Sequence, residues 1–500
     1  MEPFEILCGI AAIIFILYYY FTWNFDFWKS RGVRGPQPIP GFGNVKDVIL
    51  GKMSLSRYLE KVYNDYRDEP FIGIFDVTTP ILIIKDLDLI KDILIKDFLV
   101  FGERGYNIHE KADPLSQNLF NLDLDTWRPL RTKLTPVFTS RKLKEMFVLI
   151  SECSDHLVDY LEKLVKETNT IECHEVTAKY ATDVIGNCAF GIEMDALANE
   201  DSEFRRIGRD VFRPPLTHRI RNTIKEYWPK LFDFLGHIVP DSEITSFFTR
   251  VIVDTMAYRE KHNIVRHDFV NTLMELKNSD KLGDFELTDD LIASQAFVFF
   301  IAGFESSSTT ISHTLYELAL NQKIQNKLRK EIDEIYTKYG ENLTHDNIKL
   351  MNYLNKVFKE TLRKYPPATT LMRQSISNYT FNSIKITIPK GQKILIPVYA
   401  IHHDSNIYPK PDVFDPERFN VEATQKRHPM SYLPFGDGPR NCIGARFAVY
   451  QSKIGLIKIL RNYKIEPCEK TPIPYISDPR AFVLCPKNGI YLKIIKINQD

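Results

Sequence analysis

The chain has 500 residues, 44% of them apolar, and its 65 basic residues against 64 acidic ones leave a formal charge of +1. That balance offers no electrostatic footprint for a nucleic-acid partner. The seven cysteines (8, 153, 173, 188, 442, 468 and 485) are odd in number and show neither CxxC nor Cys/His zinc spacing, which excludes a disulfide framework and fits a reducing compartment.

In chain order, residues 4–23 form a 20-residue stretch whose only charge is Glu5, long enough to cross a bilayer core as a helix. The run is rich in Tyr and Phe, lacks a small-x-small cleavage site and has Glu2 where a signal peptide carries base, so an uncleaved membrane anchor is expected over 1–28. Lys29, Arg31 and Arg34 follow, and the positive-inside rule then puts the remainder in the cytosol. RGPQPIPGFGN (34–44) favours extended polyproline geometry. A stiff proline-rich hinge is therefore expected over 29–44, leading to one large domain over 45–500 that no linker, charge block or repeat divides.

Within that domain apolar residues recur at three- and four-residue steps through 126–147, 151–167, 174–190, 289–338 and 352–364. Strands are few. FIGIFDVTTPILIIKD (71–86) predicts a hairpin, and FVLCPKNGIYLKIIKI (482–497) another that turns at Asn488-Gly489. The expected fold class is mainly α with small β-sheets, an α+β arrangement. WRPLRTKLTPVFTSRKLKEMF (127–147) carries Arg128, Lys133, Arg141, Lys142 and Lys144, ordinarily a solvated face. EYWPKLFDFLGHIVP (226–240) offers Trp228, Leu231, Phe232, Phe234, Leu235 and Ile238, more apolar than a surface loop needs, and predicts a second contact with lipid.

LTDDLIASQAFVFFIAGFESSSTTISHTLYELAL (287–320) starts with Thr288 as an N-cap and two aspartates in the first turn, which predicts a long helix. Its centre breaks the apolar run, since Ala302-Gly303 removes bulk and Glu305-Ser306 inserts an acid and a hydroxyl. Taken alone this is a slightly bent core helix with a Ser/Thr face. The stretch 401–441 is rich in Pro and Asp and unlike any regular element, which suits a segment wrapped around a site. The adjacent His402 and His403 point apart in extended chain and are expected to be structural.

That stretch runs into PFGDGPRNCIGARFA (434–448), which sets Cys442 between a Gly/Pro loop and the start of an apolar helix. A lone cysteine is ordinarily a small core hydrophobe. Here the pattern F-x-x-G-x-R-x-C-x-G, with Phe435, Gly436, Gly438, Arg440, Cys442 and Gly444, supplies a tight glycine loop ahead of a helix N-terminus, the setting that keeps a thiolate ionised. Phe435 would shield the sulfur, Gly444 would admit a flat ligand and Arg440 would meet carboxylates. A haem with its propionates is such a ligand.

On these residues the sequence resembles the cytochrome P-450 family of haem-thiolate monooxygenases over nearly its whole length, and it looks most like the insect microsomal detoxification enzymes. The resemblance implies the cytochrome P-450 fold with an N-terminal transmembrane anchor helix, and haem b ligated by Cys442. It implies haem-propionate contacts for Trp127 and Arg131 of WRPLR and for Arg373 of TLMRQS. Glu360 and Arg363 of KETLR and Arg418 of DPERF would form the family's structural ion-pair triad; Glu203 and Arg206 match the same E-x-x-R pattern and are expected to be a solvated helix pair. Ala302 would leave room for O2, and Glu305 with Ser306 would pass protons, Ser306 standing where the family usually has Thr.

The substrate pocket implied by resemblance is lined by Gln117, Asn118, Phe120, Phe212, Phe297, Phe300, Thr370, Leu371, Phe482 and Val483. A neutral lipophilic xenobiotic or plant-derived compound is the expected substrate. The chain has no P-loop and no G-x-G-x-x-G ahead of a helix, so NADPH and flavin enter only through an NADPH-dependent flavoprotein reductase, with cytochrome b5 as a further donor. That partner would meet the basic 127–147 segment with Arg446 and Lys453, at the endoplasmic reticulum membrane with the catalytic domain cytosolic. The competing readings are a haem-thiolate isomerase or dehydratase needing no external electrons, an endogenous hormone or lipid hydroxylase, and a non-catalytic haem sensor or carrier.

Overall fold

The computed structural model describes residues 3–200, 202–212, 214–236, 243–266, 268–277, 287–341, 343–381, 385–481 and 483–497. The first helix, α1 (Pro3–Thr22), buries none of its side chains and has a mean hydropathy of 2.0. The chain behind it does not stand off from the body. Trp28 is only 3% exposed, and its indole N–H donates to the Ile74 carbonyl at 2.9 Å. A Cβ on Gly73 would lie 2.4 Å from that indole, so only glycine lets the ring lie on the sheet. Asn44 closes the segment by donating to the Pro36 carbonyl (3.0 Å) and accepting the Phe75 N–H (2.8 Å). The stiff segment expected over 29–44 is fastened along the sheet as a strap, and the apolar helix ends at Thr22.

The 71–86 hairpin forms as β1 (Phe71–Asp76) and β2 (Thr79–Ile84), paired from Phe71↔Ile84 to Asp76↔Thr79. Downstream lie α2 (Leu124–Leu134), α3 (Ser140–Glu167), β3 (Thr170–Glu172) and α4 (Cys173–Ile185). The periodic run 126–147 is therefore divided, because Pro136 brings no N–H to the helix ladder and a 3₁₀ turn at Thr135–Phe138 changes direction. Next come the long helix α5 (Asp289–Leu320), α6 (Gln322–Tyr339) and α7 (Asn352–Lys364). Thr288 caps α5 by accepting the Leu291 N–H at 3.2 Å. The run 289–338 breaks at Asn321, whose backbone (φ −120°, ψ 71°) leaves the helix.

β4 (Leu371–Gln374) and β5 (Lys393–Ile396) join the hairpin in the order β1-β2-β5-β4. The cysteine helix α8 (Ala445–Asn462) leads into β6 (Tyr463–Pro467) and finally β7 (Tyr491–Lys496). The predicted C-terminal hairpin does not form. β7 lies between β3 and β6, where its alternate residues Leu492 and Ile494 are buried, and the 482–490 stretch makes only the Ser477↔Pro486 bridge among the described residues.

α5 is the axis of the core and packs closely on α4. A Cβ on Gly303 would sit 2.3 Å from the Ile185 side chain, so this glycine sets the approach of the two helices. On α7, Arg363 grips Glu360 at 2.7 and 2.8 Å, both fully buried, and donates to the carbonyls of His402 (2.9 Å) and Pro411 (2.7 Å). Arg418 approaches Glu360 at 3.4 Å, and Asp415 N–H donates to the same carboxylate at 2.9 Å. One buried carboxylate thus gathers the irregular 401–441 stretch. His402 belongs to the same framework, its Nε2 accepting the Leu433 N–H at 2.9 Å. The Glu203–Arg206 pair is half-exposed at 3.8 Å.

Candidate active site

The cysteine loop is shaped by backbone demands. Gly436 and Gly438 take φ of +67° and +72°, which L side chains rarely adopt, and a Cβ on Gly438 would sit 1.9 Å from the Leu94 carbonyl oxygen. The Cys442 N–H donates to the Phe435 carbonyl at 2.9 Å, closing the loop just before α8. Its side chain is reached by solvent, although protein surrounds it. Burial pushes the thiol up, while the Gly444 N–H, Arg131 and Arg104 act in the opposite direction and favour the thiolate. The approach past Gly444 is open, since a Cβ there would meet only the Phe138 ring at 3.7 Å.

Four arginines gather beside this loop. Arg440 is buried over the Trp127 ring, 4.3 Å from its centroid, with Nη2 donating to the Leu122 carbonyl at 2.6 Å. Arg373 is buried on β4, Arg131 donates to the Asn441 backbone and side chain at 3.1 and 3.0 Å, and Arg104 donates to the carbonyls of Arg440 (3.1 Å) and Phe120 (2.8 Å). None of the four forms an ion pair among the described residues, and Arg373 Nε, Arg440 Nε and Arg440 Nη1 have no partner there. Burial lowers Arg104 to about 10, Arg373 to about 9 and Arg440 to about 8, Arg104 adding repulsion to the other two. A guanidinium keeps its proton in proteins, so this strain is relieved by an anion rather than by titration. A flat ligand with two carboxylates at one edge and a metal for the sulfur answers both halves of the site. The residues present therefore fit a haem.

Arg104 was not foreseen from the sequence. It lies in FGERG, where nothing marks it, and reaches the site because the Gln374 N–H donates to the Glu103 carbonyl at 2.8 Å, tying that loop to the edge of β4.

On α5, Ala302 is exposed at the centre of a helix whose other central residues are buried or half-buried. Residues four apart share a helix face, so Val298, Ala302 and Ser306 form one stripe along α5, each at least partly exposed. The Ser306 hydroxyl donates back to the Ala302 carbonyl at 2.6 Å, which holds it in a defined rotamer. Gly303 adds no room here, for it faces Ile185. Glu305 points away to α4, its carboxylate 3.2 Å from His174 Nε2.

The expected pocket changes accordingly. Phe300 is fully buried among Phe204, Phe248 and Phe304, and Phe297 and Phe212 pack edge-on to Phe248 and Phe304, forming an aromatic cluster behind α5. Asn118 is buried with its side chain bonded to Leu115, Phe120 and Asn121, and the Gln117 carbonyl is taken by Ser294 and Gln295. Phe120 is exposed, its ring 3.9 Å beneath the Arg104 guanidinium. Thr370, Leu371 and Val483 are half-buried, and the Leu484 N–H donates to Pro367, bringing the C-terminal turn beside Ala368 and Thr370. Phe482 and Ile238 lie outside the described residues. Lys453, expected on the basic surface, is instead buried, and Phe232 is buried against His109.

Comparison with known proteins decides the family. The family model "Cytochrome P450" matches residues 33–494. The chain belongs to the cytochrome P450 family. It is 39% identical to cytochrome P450 6B2 of Helicoverpa armigera, over 97% of each chain. It is 40% identical to cytochrome P450 6a8 of Drosophila melanogaster, also over 97% of each, and 39% identical to cytochrome P450 6j1 of Blattella germanica, over 99% of this chain and 98% of the relative. Membership of this family carries oxidoreductase activity of the monooxygenase kind, haem, and ligation of its iron by a cysteine thiolate.

Because a hydrogen bond to a charged group contributes about 1.5–3 kcal/mol, Arg104→Ala is expected to release haem to apomyoglobin roughly 10–100-fold faster than the wild type. An unchanged transfer rate would remove Arg104 from the site.

Proposed function

We propose that this cytochrome P450 is an anchored monooxygenase that inserts one oxygen atom of O2 into a neutral lipophilic xenobiotic or plant-derived compound, with electrons delivered from NADPH by a flavoprotein reductase. The observation that carries this reading is the glycine-shaped cysteine loop beside four arginines that form no ion pair among the described residues, two of them buried with unpartnered guanidinium nitrogens. In this arrangement Cys442 would hold the iron of haem b, and Arg104, Arg131, Arg373 and Arg440, the last seated on Trp127, would hold the propionates. When bound, the haem-thiolate centre supplies the chemistry of O2 activation.

The chain's own residues control protons, water and substrate. Ser306 spends its hydroxyl proton on the Ala302 carbonyl, so it passes a proton on only by accepting one as it gives one. Retention of both Glu305 and Ser306 favours this reading over an isomerase or dehydratase. Phe120, Val298, Ala302, Leu371 and Val483 offer a substrate apolar surface. The Arg104 guanidinium is stacked 3.9 Å from the Phe120 ring, and a charged ligand on this apolar surface would lose its hydration without a partner.

Electrons would arrive on the opposite side of the cysteine loop. Arg128, Lys133 and Arg446 are exposed there, while Arg141 and Lys142 share Glu145, and Lys144 lies 3.7 Å from Asp346. A basic face of this kind steers an acidic flavoprotein, or cytochrome b5, by long-range attraction. Trp228, Leu231 and Phe234, 54%, 46% and 64% exposed, give the body a lipid-facing patch in addition to α1. The endoplasmic reticulum membrane is the location this arrangement suits.

The reading is tested with purified protein, reductase and NADPH: neutral aromatic or terpenoid ligands should shift the haem spin state and yield products carrying one atom of labelled O2. Shifts with only fatty acids or charged amines would overturn the substrate class, and product formation without reductase would overturn the electron route. Ser306→Thr, whose extra methyl restricts the rotamer, should raise product formed per NADPH, and Ser306→Ala should lower it. Equal ratios in all three proteins would remove Ser306 from the proton path.

A further inference from the structure

Adjacent residues on a helix face about 100° apart, and at the centre of α5 this separates two polar groups. Ser306 lies on one face, whereas Glu305 turns to α4 and lies 3.2 Å from His174 Nε2, an ion-pair contact not aligned as a hydrogen bond, with the two side chains only 7% and 9% exposed respectively. His174 stands in the first turn of α4, whose close approach to α5 depends on Gly303. An isolated buried carboxylate holds its proton tightly and is a poor donor. Beside an imidazole the same carboxylate becomes half of a pair that shares one transferable proton.

The charges around the pair favour the imidazolium. Burial alone would push His174 down, but Glu305 and Glu172 outweigh it and raise the imidazole above its ordinary value, with Arg205 opposing. Arg205, on the Glu203–Phe212 helix, is itself bound to Glu175 at 2.8 and 3.0 Å, and Arg209 joins that carboxylate at 3.2 Å. From α5, His313 faces the pair as a neutral group, lowered by burial to about 3.

We propose that His174 is a positioning residue of the proton relay, which pairs with Glu305 against α4 and sets the protonation of the carboxylate on which the relay draws. The inference rests on the monooxygenase reading above. In the step the Nε2–H bond of His174 breaks as an O–H bond forms at Glu305 Oε1, leaving neutral imidazole and a carboxylic acid. No electron moves between residues, and the imidazole recovers its proton from water. The relay is loaded while His174 carries its proton, so product formed per NADPH falls as pH rises through the raised value.

Two variants separate the proton from the packing. His174→Gln keeps a polar group beside Glu305 but carries no transferable proton, and His174→Phe removes both. Each should lower product per NADPH severalfold, as loss of a general acid does, and abolish its pH dependence. A readout independent of turnover is hydrogen–deuterium exchange at the His174 ring carbon of the resting holoenzyme, followed by mass spectrometry against pH. Its midpoint should lie above that of free histidine and drop in Glu305→Gln. An unchanged midpoint in Glu305→Gln would show that the pair does not exist. A lowered midpoint together with wild-type coupling and pH profile in His174→Gln would make the pair merely structural and overturn the proposal. Wild-type protein that shows the raised midpoint yet forms no product with reductase would overturn the monooxygenase reading, and the relay with it, while leaving the pair itself established.

Discussion

Two buried guanidiniums and two half-buried ones, with no ion pair to any of them among the described residues, are the constraint around which the rest of the site is arranged. Charges of one sign are gathered beside one loop and largely withdrawn from water, an arrangement that costs stability unless an anion completes it. The elements that create it are far apart in sequence. Arg104 comes from the loop tied to β4, Arg131 from α2, Arg373 from β4 itself, and Arg440 from the cysteine loop. Their convergence therefore requires the small sheet, α2 and the start of α8 to be held in fixed relation. The fully buried Glu360–Arg363 pair contributes to this by gathering the irregular 401–441 stretch that leads into the loop.

The second constraint is the contact between α4 and α5. Glycine at 303 brings the helices together and Ser306 and Glu305 are consequently sorted to different faces, one to the Ala302 stripe and one to His174. A helix that looks from its sequence like a core element with a polar blemish is thus a partition. One face meets substrate and O2 in the reading proposed here, and the other connects to buried charge.

What was legible in the sequence was what local chemistry determines. The Thr288 cap, the 71–86 hairpin, the E-x-x-R pair and the Gly/Pro loop before Cys442 are each encoded within a few residues, and each is found in the fold. The failures share a different cause. α5 is apolar on nearly every side, so its helical phase is masked, and Phe300, expected at the pocket, is fully buried in the aromatic cluster. Arg104 and His174 have meaning only through partners on distant segments. The last strand alternates as a hairpin strand should, but its neighbours are β3 and β6, which local alternation cannot reveal. The strap over 29–44 has the composition of a spacer and becomes part of the body because Trp28 finds a glycine to lie on.

The most direct measurement is the spectrum of the reduced, carbonyl-bound protein, wild type against Cys442→Ala, with haem content determined in parallel. The arrangement of loop and arginines predicts a strongly red-shifted Soret band in the wild type that disappears in the variant even where haem is retained by the arginine cluster. A red-shifted band that survives in Cys442→Ala, or is absent from the wild type with haem bound, would contradict the assignment of Cys442 as the ligand.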